Sequence, residues 1–177
     1  MRTRTKSNRA GGFSLMELMF TIAVAGILAA VAVPSFRTMM ASNRLVTQAN
    51  EIVGAVQFAR SQAITRNAAM TLCRIDAEAD TECAGSSDEW EFWMVVDGAD
   101  NVLRRGALPS HNGTMLFGSD LATDEIVFGA DGFARVAGAP ANNDFTICST
   151  VLTENNMRTI RLGAGSRVST QKSTGSC

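Results

Sequence analysis

The stretch Gly11-Gly12-Phe13-Ser14-Leu15-Met16-Glu17, with the apolar run that follows it, decides how the chain is organised. From Leu18 to Phe36 there are 19 residues, and none is charged. A helix of that length matches the hydrocarbon core of a bilayer, which is about 30 Å thick. The run begins beside one carboxylate, Glu17, and a charge at membrane depth normally has an assigned partner because burying it alone is costly. We therefore predict that this segment anchors the rest of the chain in a membrane.

The residues before Gly12 are basic and include no acidic residue; the four cations are Arg2, Arg4, Lys6 and Arg9. Positive charge next to an apolar helix favours retention of that end on the cytoplasmic side, so the body is expected to be translocated. Beyond residue 12 the chain has 12 Lys and Arg against 17 Asp and Glu, a net charge of −5. An acidic body disfavours a protein that coats nucleic acid.

At 177 residues the chain has room for one anchor and one globular domain. Pro34 is expected to bend or locally melt the helix. The residues behind it follow a helical period again, with one apolar face. The pattern predicts one helix from about Ser14 to Arg66, whose second half lies against a globular domain. The predicted apolar face consists of Leu45, Ala49, Ile52, Val56, Ala59 and Ala63.

Short β-rich runs separated by turn signals follow residue 67 and predict an α+β fold with an antiparallel sheet system. Trp90 and Trp93 are three residues apart in one run, so they are expected to face opposite sides, one in the core and one at an edge or under a loop. The turn signals are Asp97-Gly98, Asn112-Gly113 and Asp131-Gly132. The runs are 70–75, 90–96, 102–105, 125–128, 144–150, 158–162 and 167–170.

All four cysteines lie in the part predicted to be translocated, and an even number in an oxidising compartment suggests two disulfides. Of the three pairings, the favoured one joins Cys73 to Cys83 as a local loop and Cys148 to Cys177 at the C-terminus. Zinc is disfavoured because the chain has no Cys-x-x-Cys pair and His111 is its one histidine. Buried free thiols are the remaining alternative.

A local charge run extends from Asp76 to Asp100, with nine acidic residues and no basic one. It is predicted to be a solvated loop beside the Cys73–Cys83 pair. A calcium site is disfavoured, because the run lacks the glycine turn and the terminal glutamate of an EF-hand loop.

The junction Gly12/Phe13-Ser14-Leu15-Met16-Glu17 resembles the class III signal peptide of type IV pilins and pseudopilins. The resemblance implies that a prepilin peptidase cuts after Gly12 and that the amine of Phe13 is then methylated. It also implies that Glu17 pairs with the N-terminal amine of a neighbouring subunit during assembly, with Pro34 as a further assembly residue. A conventional secretory signal cut after Ala30-Val31-Ala32 is disfavoured, because Glu17 would lie in its apolar region.

The sequence is similar to the FimT, FimU and GspH branch of that family in three stretches. They are Ala59-Arg60-Ser61-Gln62-Ala63 in the predicted helix, Thr71-Leu72-Cys73, and Phe128-Gly129-Ala130-Asp131-Gly132. The resemblance implies a structural minor pilin or pseudopilin in pilus biogenesis or type II secretion, with other pilins, the peptidase and the inner membrane as partners. It implies a single-pass inner-membrane protein with a periplasmic globular domain that enters a fibre. The expected segments are a leader (1–12), an assembly helix (13–36), an amphipathic half-helix (37–67) and a β-rich domain (68–177).

A DNA-binding minor pilin for DNA uptake is the alternative. The last twenty residues contain no Asp or Glu and could form a phosphate-binding patch. Some members of the FimT branch have Gly-Arg-x-Arg near the C-terminus, where this chain reads Gly165-Ser166-Arg167-Val168-Ser169 and only Arg167 matches. The candidate DNA-binding residues are Arg158, Arg161, Arg167 and Lys172.

Catalysis is not expected. The chain has no phosphate-cradling glycine loop, and its single histidine lies in turn-like sequence. The sequence predicts no catalytic residue, no metal and no cofactor.

Overall fold

The structure is a computed structural model and describes residues 13–85, 90–111 and 114–177. One long helix, α1 (Leu15–Arg66), precedes a series of short strands. The chain divides into two compact units, one ending at Arg37 and one covering Thr38–Cys177. In the described ranges the strands are β1 Met70–Ile75, β2 Phe92–Asp97, β3 Val102–Ala107, β4 Met115–Ser119, β5 Glu125–Phe128, β6 Ala134–Val136, β7 Ala139–Pro140, β8 Asn143–Ser149, β9 Met157–Gly163 and β10 Arg167–Ser173.

Helix α1 begins and ends within a residue of the predicted bounds. It is continuous through Pro34, so the local melting predicted there does not occur. Proline at this position removes one backbone donor, the one that would bond the carbonyl of Ala30, and the rest of the hydrogen-bond ladder holds the helix. All six residues of the predicted apolar face are buried, and Ala41, Gln48 and Ala55 are buried with them.

The strands form two antiparallel sheets. Sheet A has the order β3-β2-β1-β5-β6-β7, and sheet B has the order β10-β9-β8-β4. The buried face of α1 and the inner faces of both sheets contribute to one hydrophobic core. The α+β fold with two antiparallel sheets that the sequence predicts is thereby confirmed.

All seven predicted strands are present, with ends that differ by a few residues at most. Strands β4, β6 and β7 were not predicted. Each is short, and its extended structure depends on hydrogen bonds to a neighbouring strand rather than on its own sequence pattern. Strand β4 contains Gly118, which weakens a strand pattern, and forms five pairs with β8. The turn predicted at Asn112-Gly113 lies outside the described residues.

Sheet A is buried on both faces along its strands β1 and β2. On β1, Met70 and Leu72 belong to the main core, whereas Cys73 and Ile75 face a second, smaller cluster on the opposite side with Met94 and Val96. The alternation follows from the two-residue period of a strand. A loop that carries Cys83 packs against this second cluster. Strand β1 therefore has an almost continuously buried sequence.

The expectation for the two tryptophans is wrong, because both lie in the main core. Trp90 precedes β2 and packs edge-to-face on Phe145, with ring centroids 5.0 Å apart. Trp93 lies on β2 opposite Gly106, where an added Cβ would come within 2.2 Å of the indole ring. A glycine on the neighbouring strand thus leaves the space that this large side chain needs.

A buried ion pair joins β1 to the loop before β5. The Nε atom of Arg74 lies 3.7 Å from Oδ2 of Asp124, and both side chains are less than a tenth exposed. Asp124 Oδ1 also accepts hydrogen bonds from Trp90 Nε1 at 3.0 Å and from the hydroxyl of Ser119 at 3.1 Å. Buried charges of this kind are tolerated when they are paired and hydrogen-bonded. The sequence pattern gave no sign of this cluster.

The turn between β5 and β6 packs against the end of α1. Gly132 has a φ of +73°, and an added Cβ would lie 2.7 Å from Cδ1 of Ile64 on the helix. We expect Gly132→Ala to lower the free energy of unfolding by roughly 1–2 kcal/mol, because the left-handed backbone disfavours a side chain. The exposed end of Ile64 can shift to admit the methyl group, so this contact adds little. Urea titration of the detergent-solubilised chain, followed by tryptophan fluorescence, measures this change.

Gly98 provides the matched control for that substitution. It lies in the turn between β2 and β3, its φ is not in the left-handed region, and an added Cβ would meet no atom within 4 Å. Gly98→Ala is expected to leave the stability nearly unchanged. Equal losses in the two variants would contradict the role assigned to the conformation of Gly132.

Candidate functional site

The N-terminal part of α1 is an apolar surface. In the described unit that ends at Arg37, every residue is exposed, including Phe13 at 80%, Phe20 at 71% and Val31 at 73%. Helix α1 is long and apolar enough to cross a membrane, and its most apolar window has no buried residue. An apolar surface of this size requires another apolar environment. Lipid or the helices of neighbouring subunits would both supply it.

Glu17 lies in the first turn of α1. Its backbone N–H donates to the hydroxyl of Ser14 at 3.2 Å, so Ser14 caps the helix. Ser14-Leu15-Met16-Glu17 is a Ser-x-x-Glu sequence, the pattern of a capping box. A carboxylate in the first turn also interacts favourably with the positive end of the helix dipole. Ser14 is a site residue that the sequence analysis missed, although the spacing to Glu17 would have indicated it. Gly12 lies outside the described residues.

Both disulfides have the favoured pairing. Cys73 is bonded to Cys83 and Cys148 to Cys177, with Cα–Cα distances of 5.7 and 5.6 Å. The alternatives of zinc ligation and of buried free thiols are therefore wrong for these four residues. The first disulfide joins β1 to the acidic loop, and the second joins the end of β8 to the C-terminal segment.

The C-terminal segment is held by a side chain as well as by its disulfide. The amide of Asn156 accepts the N–H of Gly175 at 3.0 Å and donates to the carbonyl of the same residue at 2.9 Å. A side-chain amide thus supplies the pair of hydrogen bonds that a neighbouring strand would supply. Asn156 is only 6% exposed, and it is a second residue that sequence reasoning missed. It lies beside both sulfur atoms of the Cys148–Cys177 bond.

Two of the four candidate DNA-binding residues are occupied within the protein. Arg158 is 6% exposed, and its guanidinium donates to the backbone carbonyls of Asn155 and Met157. Burial lowers the pKa of Arg158. Arg161 forms a two-pronged ion pair with Asp144 at 2.8 and 2.7 Å. The hydrogen bonds of this pair raise the pKa of Arg161 and lower the pKa of Asp144.

The strand register also separates the four cations. Arg158 is paired with Lys172, and Arg161 is paired with Ser169, on the strands β9 and β10. Because successive residues of a strand point to opposite faces, Arg158 and Lys172 lie on one face of sheet B and Arg161 and Arg167 on the other. The basic patch expected from the sequence therefore does not form, and the DNA-binding alternative is not supported.

Ser166 explains part of the departure from the Gly-Arg-x-Arg motif. It is 2% exposed and has a φ of 59°, in the turn between β9 and β10. Its hydroxyl accepts the N–H of Ala134, and its carbonyl accepts a hydrogen bond from Arg60 on α1 at 3.0 Å. One small residue thus connects the helix and both sheets, so this position is used for packing.

The acidic run is not one solvated loop as predicted, because it contains β2, whose middle four residues are buried. Its described acidic residues lie in the loop before β2, at the end of β2 and in the turn that follows, and residues 86–89 lie outside the described residues. The Asp76 side chain is 72% exposed and accepts from Arg74, and Arg105 donates to the carbonyl of Asp80. Asp97 accepts the backbone N–H groups of Asn101 and Ala99, and these hydrogen bonds lower its pKa. Among the residues that the structure describes, no group of three or more His, Cys, Asp or Glu is placed to hold a metal ion.

Comparisons with known proteins agree with this architecture. The family model of the type II transport protein GspH matches residues 48–166, and the prokaryotic N-terminal methylation motif matches residues 7–33. No protein with a curated description is significantly similar to the chain.

Solved structures of one minor pilin share the fold. Two crystal structures of the Pseudomonas aeruginosa type IV minor pilin FimU are 18% and 19% identical, with TM-scores of 0.54 and 0.56. They cover 72% and 73% of this chain, which in turn covers 92% and 90% of theirs. The minor pseudopilin EpsH from the type 2 secretion system of Vibrio cholerae aligns at 8% identity, a TM-score of 0.49, and coverages of 73% and 97%. The match of the GspH model to most of the chain shows that it belongs to the GspH family and is a minor pilin or pseudopilin.

Proposed function

We propose that this protein is cleaved between Gly12 and Phe13 by a prepilin peptidase and then enters a fibre through the N-terminal part of α1. The observation that carries the proposal is the exposed apolar N-terminal part of α1, up to Arg37, with one carboxylate at its start. Within the described ranges, Glu17 has no ion pair, whereas five other acidic residues each have one. A carboxylate in an apolar surface needs a cation from outside the subunit.

Cleavage supplies that cation. Gly12 has no side chain, so a protease can approach the bond closely, and cutting there leaves Phe13 with a free amine. Methylation of the amine keeps its positive charge. The amine of one subunit then pairs with Glu17 of the next, and both charges enter the apolar fibre as a neutral unit.

The same segment holds the precursor in the inner membrane as a single-pass protein. The basic residues before Gly12 stay in the cytoplasm, and the unit from Thr38 onward lies in the periplasm. Two disulfides in that unit fit an oxidising compartment. Other pilins or pseudopilins are the partners, the peptidase is the processing enzyme, and the role is structural.

Glu17→Ala tests the pairing. We expect normal processing and membrane insertion, but a reduction of about tenfold or more in the fraction of subunit recovered in sheared fibres, because a buried amine loses its counter-charge. Glu17→Gln, which keeps the shape and removes the charge, should have the same effect. Mass spectrometry of the N-terminus and quantitative blotting of membrane and fibre fractions measure the two steps separately.

Gly12→Val is the control for processing, since it should leave the precursor uncut in the membrane and out of the fibre. The charge pairing would be wrong if Glu17→Gln entered fibres as well as the wild type. Both type IV pili and type II pseudopili are to be sampled, and the fraction that contains the wild-type subunit identifies the machinery.

A further inference from the structure

Residues 174–177, which we call the strap, are attached to one end of sheet B. Their disulfide bonds them to β8, and three hydrogen bonds accompany it. Two of these join Asn156 to Gly175, and the third runs from the N–H of Asn155 to the hydroxyl of Thr174 at 2.8 Å. Three hydrogen bonds gain less free energy than the ordering of four residues costs in conformational entropy. The disulfide therefore decides whether the strap stays in place.

The strap covers a row of side chains on the outer face of sheet B. Leu116, Cys148 and Met157 are paired across β4, β8 and β9, and directly paired residues point to the same side of a sheet. Ile147, next to Cys148, belongs to the main core, so the row faces away from that core. A Cβ added at Gly175 would meet Sδ of Met157, which places the strap over the row. Loss of the strap would extend the apolar surface that Leu116 already exposes.

The two ends of the strap disulfide differ in exposure. Cys177 is exposed, whereas Cys148 is 4% exposed. In thiol–disulfide exchange a thiolate attacks one sulfur and expels the other, so the accessible Sγ of Cys177 is the one attacked and Cys148 is the leaving group. Nδ2 of Asn156 lies 3.7 Å from Sγ of Cys148 and 3.6 Å from Sγ of Cys177. Its N–H can donate to the thiolate left on Cys148, and a hydrogen bond to the charged form favours that form.

The surroundings of the Cys73–Cys83 disulfide disfavour the same reaction. Cys73 is fully buried, and Cys83 is half-buried against the second cluster. A cleft beside Cys83 has no Lys or Arg among its described lining residues, and its carboxylates repel an approaching thiolate. These carboxylates belong to Glu82, Asp100 and Glu125. From residue 155 to residue 177, by contrast, the chain contains no Asp or Glu.

We propose that the Cys148–Cys177 bond is a site of thiol–disulfide exchange with an external dithiol, and that its reduction releases the strap. One thiolate of the dithiol attacks Sγ of Cys177, forms a mixed disulfide with it and expels Sγ of Cys148 as a thiolate, which takes a proton from water. The second thiolate of the dithiol then attacks the dithiol sulfur of the mixed disulfide and frees Cys177, which is protonated in turn. The dithiol leaves as a disulfide, so it is oxidised as the two cysteines are reduced. Asn156 is the positioning residue of this site.

Reduction of the native, detergent-solubilised full-length chain tests the site. The protein is treated with dithiothreitol at fixed pH, quenched with acid, alkylated and analysed by peptide mass spectrometry. We expect the Cys148–Cys177 bond to be reduced at least about tenfold faster than the Cys73–Cys83 bond, at a rate proportional to the dithiol concentration. Equal rates for the two bonds, or faster loss of Cys73–Cys83, would overturn the proposal.

Maleimide labelling of the selectively reduced chain tests the release of the strap. Labelling rates are divided by the rates for the same cysteines in the urea-unfolded chain, which removes their intrinsic differences. Cys148 should then react about as fast as Cys177, because the strap no longer covers it. A Cys148 that stays protected in the reduced chain would show that the hydrogen bonds alone hold the strap, and its release would be wrong.

Asn156→Asp separates positioning from a purely structural role. Aspartate has nearly the same shape, but it lacks the N–H and places a negative charge beside both sulfur atoms, so reduction should be about fivefold slower or more. A structural role alone predicts the opposite, because a loosened strap would be reduced faster. Asn155→Asp adds the same charge at the exposed neighbouring position and should change the rate by less than about twofold. Reduction of Asn156→Asp at the wild-type rate or faster would contradict the role assigned to Asn156.

Discussion

Asp124→Ala is expected to lower the free energy of unfolding by about 3–5 kcal/mol, the usual cost of removing one partner from a buried ion pair. The substitution leaves the guanidinium of Arg74, whose side chain is 8% exposed, without its buried counter-charge. It also removes the acceptor for the indole N–H of Trp90 and the hydroxyl of Ser119. The φ of 51° at this position adds to the cost, because aspartate tolerates the left-handed region better than alanine does. A urea titration monitored by tryptophan fluorescence measures this decrease in the free energy of unfolding.

Asp76 offers the matched control. It binds the same guanidinium at 2.7 Å, but its side chain is 72% exposed. Asp76→Ala should cost no more than about 1 kcal/mol, because exposed ion pairs contribute little. Asp124→Asn retains the acceptor oxygen and the turn conformation, and its loss should lie between the two. Similar losses for Asp76→Ala and Asp124→Ala would show that burial is not what makes this pair important.

Removal of the Cys148–Cys177 disulfide is expected to have the second large effect. The bond closes a separation of 29 residues. Its loss in the double variant Cys148→Ala/Cys177→Ala should lower the free energy of unfolding by roughly 3.5 kcal/mol through the greater entropy of the unfolded chain. Folding would then also have to order the segment that Asn156 binds, without the covalent tether.

The disulfide between Cys73 and Cys83 serves as the comparison, with a separation of 10 residues. The same entropy relation predicts a smaller effect of about 2.7 kcal/mol for this loop. The burial of Cys73 argues for alanine rather than serine at that position, because a buried hydroxyl would add its own cost. An unchanged unfolding midpoint for Cys148→Ala/Cys177→Ala would mean that Asn156 alone holds the C-terminal segment.

Periodic features could be predicted from the sequence. The apolar spacing along α1 identified six of its nine buried residues, because a helix repeats every 3.6 residues whatever it packs against. Cysteine count and spacing led to the observed pairing. Strands with strong β-formers at their centres were found with small errors at their ends, as for β9, predicted at 158–162 and observed at Met157–Gly163.

Features that depend on pairing could not be predicted. Arg158 is buried because it lies on the same face of β9 as Ile160 and Leu162. Sequence alone predicts that an arginine in a strand is exposed to solvent. Arg161 is neutralised by Asp144, 17 residues away in sequence and opposite it on β8. Trp93 depends on Gly106, its partner on the neighbouring strand. Each of these features depends on a residue that is distant in the sequence, so a short sequence segment cannot reveal it.

The exposed apolar helix has a consequence for the direction of assembly. In the proposed pathway the N-terminal part of α1 moves from the bilayer to the interior of the fibre. Both environments are apolar, because lipid hydrocarbon is as apolar as leucine side chains are. The transfer therefore changes the hydration of apolar surface very little, and hydrophobicity selects neither direction. The bilayer and the fibre differ in the polar and charged groups that each offers to the subunit. Glu17 and the contacts of the globular unit therefore determine how the subunit distributes between membrane and fibre. Small changes in those few groups would shift the balance between membrane pool and polymer far more than any change along the apolar face.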